Sequence, residues 1–150
     1  LLTPYFFNGA SEKKYEIGLV LRWSERHWMR TVESDEIKII DLGTNEIEKT
    51  LDEVTSCKKI ITSSLHGLII ADAFGIPNAW LASDTPKGGE FKFIDYFTSV
   101  DKHRRPITRD LSERTLSLAS LENDFEFDDR KLMFDPSELL KACPLLKLKT

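Results

Sequence analysis

The hydrophobic positions of this 150-residue chain alternate between strand-like and helix-like patterns. Nearly continuous apolar runs predict four buried strands, at residues 16–23, 36–42, 59–62 and 79–81. Apolar residues at helical spacing predict helices that begin near residues 45, 65, 91, 111 and 135. This alternation favours parallel strands joined by right-handed crossovers. We therefore expect an α/β fold, a Rossmann-like parallel sheet flanked by helices.

Turn signals and composition divide the chain into three parts. We expect an irregular N-terminal segment at residues 1–14, the α/β core at residues 15–105, and a helical C-terminal extension packed on that core at residues 106–150. The chain does not begin with methionine. We therefore expect it to be a fragment of a longer protein whose partner domain is missing.

Residues that are typical of helix ends predict where several helices begin and stop. Asn45, with Glu48 three residues later, resembles a capping box for the first long helix, and Cys57 is expected to close that helix. Gly75 is a natural residue to end the second helix. The sequence Asp135-Pro136-Ser137-Glu138 predicts a strong helix start.

Composition and charge exclude several classes of function. The formal net charge is −4 and the basic residues are scattered, so no nucleic-acid footprint is present. No apolar run approaches the roughly 20 residues of a membrane helix, and the first residues lack a charged leader, so we expect no secretory signal. Cys57 and Cys143 fit no metal spacing and are expected to be reduced thiols in a cytoplasmic protein. No dinucleotide or phosphate-loop motif is present, so we expect no cofactor. His27 and His103, like the cysteines, have no partners at metal spacing, so we expect no metal.

One polar pentapeptide, Ser63-Ser64-Leu65-His66-Gly67, separates the third predicted strand from the most apolar predicted helix. A turn between a parallel strand and its helix lies at the carboxyl edge of the sheet, where α/β proteins bind ligands. Hydroxyls and backbone N–H groups at the positive end of a helix favour an anion. His66 is thus a candidate general acid and base near neutral pH, or it only hydrogen-bonds the turn.

The other residues of the pentapeptide allow two interpretations each. Ser63 and Ser64 could donate hydrogen bonds to a phosphate or carboxylate, or cap the helix. Gly67 could let a ligand approach the backbone closely, or let the helix pack tightly on the sheet. The sequence leaves both pairs of alternatives open.

Cations and aromatic residues at the same predicted edge extend the candidate site. Arg22 ends the first strand and could bind a phosphate or carboxylate bidentately, or form a surface ion pair. Lys92, near the start of a later helix, could reach the same crevice. Trp23 and Trp28 could stack on a sugar ring or belong to the core. The carboxylates of residues 124–129 are expected to form a solvated acidic loop.

The segment from Thr62 to Pro77 resembles the signature of the polysaccharide pyruvyl transferase family. That signature has serine, then arginine or serine, then Leu-His-Gly, followed by an apolar helix and a Gly-x-Pro turn. Weaker resemblances lie in Leu21-Arg22-Trp23 and in the lysine-plus-aromatic segment 91–96, so that the match spans roughly residues 15–100. Many members carry arginine where this chain has Ser64, which removes one cation that Lys92 could replace.

The resemblance implies the C-terminal half of a two-domain enzyme like the GT-B glycosyltransferases. It implies transfer of a pyruvyl group from phosphoenolpyruvate to sugar hydroxyls of a cell-surface polysaccharide or exopolysaccharide, with a missing N-terminal domain that brings the glycan acceptor. The catalytic acid or base would be His66. The substrate-binding residues would be Arg22, Ser63, Ser64, Gly67 and Lys92.

Two other functions fit the same residues. The first is a glycosyltransferase domain that uses a nucleotide sugar on the same scaffold. The second is a non-catalytic carbohydrate-binding or interaction domain, which a closed crevice or an Arg22 remote from His66 would favour.

Overall fold

A computed structural model describes residues 1–25, 34–82, 89–108, 116–133 and 135–142. Within these ranges a short 3-10 helix forms at Thr3–Tyr5. The strands are β1 (Tyr15–Leu21), β2 (Ile37–Asp41), β3 (Cys57–Thr62) and β4 (Asn78–Trp80). The α-helices are α1 (Ile47–Thr55), α2 (Leu65–Ala73), α3 (Phe91–Ser99), α4 (Leu118–Asp124) and α5 (Pro136–Ala142).

The four described strands lie parallel in one sheet, in the order β2–β1–β3–β4. Val20 of β1 pairs with Ile40 of β2 and with Thr62 of β3, and Thr62 pairs in turn with Trp80 of β4. Parallel strands need a crossover, which α1 supplies between β2 and β3 and α2 supplies between β3 and β4. The carboxyl ends of the strands therefore meet at one edge. This confirms the predicted α/β Rossmann-like fold.

Several element ends differ from those predicted. Cys57 begins β3 instead of closing α1, because its parallel pairing with Tyr15 extends the strand. The N-cap of α1 is Glu46 rather than Asn45. The helix predicted from residue 111 begins at Leu118 in the described part of the chain. Trp28 and Cys143 lie outside the described residues, and the proposed domain boundaries stay a prediction.

Helices cover both faces of the sheet. On one face, Val20 and Ile60 pack against Val54 of α1 and Ala71 of α2. On the other face, Leu19 of β1 and Ile61 of β3 pack in one cluster with Leu121 of α4. The strands are thus buried from both sides, which is why they read as continuous apolar runs rather than as alternating patterns.

The motif helix α2 lies between α1 and α3. Leu68 of α2 packs with Trp80 and Phe93, whose rings stack 4.6 Å apart at an interplanar angle of 16°. Gly75 ends the helix with a φ of +64°, and its N–H donates to the carbonyl of Asp72 (3.1 Å). Glycine adopts this left-handed conformation without a Cβ penalty, as the sequence predicted.

A buried cluster of charges fixes the C-terminal end of α2. Asp72 Oδ1 accepts hydrogen bonds from Asn78 Nδ2 (2.8 Å), Lys102 Nζ (2.9 Å) and Arg104 Nη2 (3.0 Å). Asp72 Oδ2 accepts from Tyr96 OH (2.8 Å). The Asp72 and Lys102 side chains are only 1% and 3% exposed. Burial and the Asp72 carboxylate raise the pKa of Tyr96, so this hydroxyl keeps its proton.

Asp128 completes this cluster, and the prediction of a solvated acidic loop was wrong for this residue. Its backbone bridges to Asn78 at the edge of the sheet, which carries its side chain against Arg104. Arg104 Nε lies 2.7 Å from Asp128 Oδ2, an ion-pair contact whose angle falls outside hydrogen-bond geometry. Arg130 donates to both carboxylate oxygens from the outside.

The acid stability of the protein should depend on Asp128. Burial tends to raise the pKa of this carboxyl, but hydrogen bonds from Arg130 and the charges of Arg104 and Lys102 hold the pKa well below its ordinary value. A lowered folded-state pKa contributes stability that is present above the unfolded-state pKa of about 3.9 and is lost as the pH falls. Between about pH 5 and pH 2, the unfolding midpoint should therefore fall more steeply for the wild type than for Asp128→Asn.

Calorimetric scans across that pH range measure this difference. The matched control is Asp129→Asn, which removes the neighbouring exposed carboxylate and should keep the wild-type slope. Identical pH dependence in the wild type and Asp128→Asn would show that the buried ion pairs contribute nothing to acid stability.

Candidate functional site

The pentapeptide 63–67 forms the turn between β3 and α2, at the carboxyl edge of the sheet. Ser64 occupies the N-cap position with an extended backbone (φ −99°, ψ 130°). Thr62 organises the turn, because its hydroxyl donates to the carbonyl of Val20 (2.6 Å) and accepts from the N–H of Ser64 (3.0 Å). The turn is thereby tied to β1 as well as to β3.

His66 is exposed and lines an open cleft of about 310 Å³ between α1 and α2. Residues that follow β2 and residues of both helices line the cleft. Its other lining residues are Leu42, Thr44, Ile47, Thr50, Leu51, Ser64 and Ile70. The polar side-chain groups of the cleft are therefore the His66 imidazole and the hydroxyls of Thr44, Thr50 and Ser64. The other lining side chains are apolar.

The first turns of two helices open on this cleft. Among the described contacts, neither Ser64 at the start of α2 nor Glu46 at the start of α1 accepts a capping hydrogen bond with its side chain. The N–H groups of an uncapped first turn stay available to a ligand, and the helix dipole favours a negative one. The first turn of α1 carries Glu48, whereas that of α2 carries no acidic residue, so α2 is the better anion site.

Arg22 lies beside the pentapeptide. It directly follows β1, and its backbone N–H donates to Ser63 Oγ (3.1 Å). Its side chain is half-buried. The structure thus brings Arg22 and the turn that carries His66 together at neighbouring strand ends.

Ser63 is fully buried, and its hydroxyl donates to Glu25 Oε2. Glu25 itself is buried at the end of the short 3-10 turn that follows Arg22. No local sequence pattern points to a role for Glu25, because its partner Ser63 lies 38 residues away in the chain. Ser64, by contrast, is half-exposed and lines the cleft.

Gly67 faces the sheet rather than the cleft. A Cβ added there would overlap Thr62 Oγ1 and lie 3.0 Å from Val20 Cγ1. The space that glycine leaves is therefore filled by the strands below, which supports tight packing of α2 on the sheet as the reason for this residue.

Replacing Gly67 with alanine should destabilise the fold by about 1–3 kcal/mol, since the methyl group overpacks a rigid contact. Urea unfolding followed by circular dichroism measures this loss. The double variant Thr62→Ala/Gly67→Ala removes the overlapping hydroxyl, so its cost should be smaller than the sum of the two single variants. Strict additivity would show that the overlap does not determine the effect.

Lys92 and His66 occupy opposite sides of α2. Lys92 lies in the first turn of α3, with Nζ 5.3 Å from the centre of the Phe93 ring, and Phe93 packs against Leu68 of α2. His66 lines the cleft on the α1 side. A joint role of the two residues in binding one ligand stays a prediction.

Trp23 directly follows Arg22 at this edge, and its side chain is 74% exposed.

In the part of the chain that the structure describes, no three His, Cys, Asp or Glu side chains are grouped to hold a metal ion. None of the described helices combines the length and the apolar character that a membrane span needs.

Comparisons with known proteins identify relatives of this chain. The sequence model of the family described as Polysaccharide pyruvyl transferase matches residues 4–85, more than half of the chain. The chain is 32% identical over 124 residues to uncharacterized protein L143 of Acanthamoeba polyphaga mimivirus. That match covers 76% of this chain and 41% of the viral protein, so the chain spans less than half of its relative's length. No solved structure matches the chain significantly.

Proposed function

The chain belongs to the polysaccharide pyruvyl transferase family, and from this premise we propose that it forms part of an enzyme that transfers a pyruvyl group from phosphoenolpyruvate to sugar hydroxyls. The acceptor would be a cell-surface polysaccharide or exopolysaccharide, and the reaction would take place in the cytoplasm. One observation carries the proposal: an exposed histidine lines an open cleft at the uncapped start of α2.

The chemistry of the cleft fits an acidic donor. Phosphoenolpyruvate carries a phosphate and a carboxylate, and both groups favour free N–H groups at a helix N-terminus. Arg22 follows β1 at the same edge and can bind either group bidentately. Ser64 can donate its hydroxyl from the cleft wall, and Lys92 is proposed as a second cation that approaches from α3.

His66 would act as the general acid and base. As imidazolium it would protonate C3 of the donor, which makes C2 electrophilic. One sugar hydroxyl adds to C2, the bond between C2 and the phosphate oxygen breaks, and a second hydroxyl closes the ketal. Of the two hydroxyl protons, one returns to the imidazole and the other leaves with inorganic phosphate.

The acceptor would bind at the outer rim of the cleft. An exposed indole such as Trp23 offers a flat apolar face for a sugar ring. We further propose that an N-terminal domain of a longer protein, as in GT-B-like enzymes, brings the acceptor to this rim. The 150-residue chain alone would then bind the donor without turning it over.

Isothermal titration of the full-length protein separates this proposal from its alternatives. We expect saturable binding of phosphoenolpyruvate and weaker binding of inorganic phosphate, because phosphate lacks the carboxylate. Binding of a nucleoside diphosphate without binding of phosphoenolpyruvate would point to a nucleotide-sugar-dependent glycosyltransferase. Binding of a glycan but of neither donor would point to a non-catalytic carbohydrate-binding domain.

A further inference from the structure

Three residues close a ring of hydrogen bonds where β1 ends. The backbone N–H of Arg22 donates to Ser63 Oγ (3.1 Å), and the Ser63 hydroxyl donates to Glu25 Oε2. The backbone N–H of Glu25 donates to the carbonyl oxygen of Arg22 (2.9 Å). Ser63 thus binds the backbone N–H of Arg22, and Glu25 binds its backbone carbonyl.

The two polar side chains of this ring, those of Ser63 and Glu25, are buried. Ser63 is fully buried, and Glu25 is 4% exposed. Removing a carboxylate from water is costly, and well-packed apolar residues in its place are often as stabilising or more so. A buried serine–carboxylate pair at a ligand-binding edge therefore points to a role beyond stability.

The hydrogen-bonding capacity of Ser63 defines that role. A serine hydroxyl has one proton, and here that proton goes to Glu25 while the oxygen accepts from Arg22. No proton is left for a phosphate or carboxylate of a donor molecule. The effect of Ser63 on a ligand must therefore pass through the backbone of Arg22.

We propose that Glu25 is a positioning residue for donor binding. It orients the Ser63 hydroxyl, and the two side chains together fix the backbone of Arg22 so that its guanidinium meets the anionic groups of the donor. Glu25 itself touches neither the donor nor the acceptor. This inference rests on the proposed function, since it assumes an anionic donor at the start of α2.

Titration of phosphoenolpyruvate into variants of the full-length protein tests the ring. Glu25→Ala and Ser63→Ala should each weaken donor affinity about tenfold, as expected for loss of a hydrogen bond to a charged group. The double variant should bind about as weakly as either single variant, because both changes open the same ring. Glu25→Gln keeps an acceptor oxygen for the serine and should restore affinity to within about threefold of the wild type.

The Arg22→Ala background separates positioning from a general structural effect. Without the guanidinium there is nothing left to position, so Glu25→Ala should cause no further loss of donor affinity there, although it still lowers the unfolding midpoint. Glu16→Ala is the matched control, since it removes a half-exposed carboxylate that pairs with Lys58 at the other end of β1 (2.6 Å). It should bind the donor as the wild type does.

The outcomes distinguish two kinds of failure. A wild-type protein that does not bind phosphoenolpyruvate overturns the proposed function, and the positioning role with it. A wild-type protein that binds, with Glu25→Ala binding equally well, overturns the positioning role alone, as does an equal loss in the Arg22→Ala background. If Glu25→Ala does not fold, Ser63→Ala in the wild-type and Arg22→Ala backgrounds decides the same point.

Discussion

Replacement of His66 by alanine should lower pyruvyl transfer by the full-length protein about 10²- to 10⁴-fold, the usual contribution of a positioned general acid or base. The imidazole is exposed in the cleft between α1 and α2, so its removal leaves no cavity in the core. The unfolding midpoint should therefore change little. Release of inorganic phosphate from phosphoenolpyruvate in the presence of a glycan acceptor measures the rate.

The chain offers a matched control for this variant. His103 follows α3, is 84% exposed and lies 4.0 Å from the carboxylate of Asp101, away from the cleft. His103→Ala should keep the wild-type rate. Transfer by His66→Ala at the wild-type rate, with donor still bound, would remove His66 from the mechanism.

Replacement of Asp72 by alanine should destabilise the protein by about 3–5 kcal/mol, the largest effect on stability that we expect from one substitution. The change removes the carboxylate that compensates the buried Lys102 and Arg104. It also leaves the hydroxyl of Tyr96 and the amide of Asn78 without this acceptor. Since most single domains have only about 5–15 kcal/mol of stability, we expect the variant to be partly unfolded at 37 °C.

Two further variants show whether the charge causes this loss. Asp72→Asn keeps one acceptor oxygen but not the charge, so its unfolding free energy should fall between those of the wild type and Asp72→Ala. Asp52→Ala removes an exposed carboxylate from α1 and should lie within about 0.5 kcal/mol of the wild type. A loss below about 1 kcal/mol for Asp72→Ala, by urea unfolding, would mean that the buried cluster adds little.

Local pattern was enough to predict the strands and the motif helix. The apolar runs that became β1 and β3 are continuous because helices cover both faces of the sheet. The predicted order of strand, turn and helix was also enough to predict that the pentapeptide 63–67 lies at the carboxyl edge of the sheet. The error at Cys57 has a different origin, because its strand state depends on pairing with Tyr15, more than 40 residues earlier.

The polar interior was harder to predict, because it depends on contacts between distant parts of the chain. Asp72 stood alone in an apolar helix, a signal that such a carboxylate needs a partner, but Lys102 lies 30 residues away. Asp128 lies in an acidic run that predicts a solvated loop, whereas its pairing with Asn78 holds the half-buried side chain against Arg104.

The central claim is that the start of α2 attracts an acidic donor. Amide chemical shifts of the full-length, ¹⁵N-labelled protein during a titration with phosphoenolpyruvate test it most directly, because backbone N–H groups are the proposed ligands. We predict saturable shifts that are largest at residues 64–67 and at Arg22, and small along α4. Unperturbed amides in that turn at saturating donor, or shifts confined to other parts of the sheet, would contradict the claim.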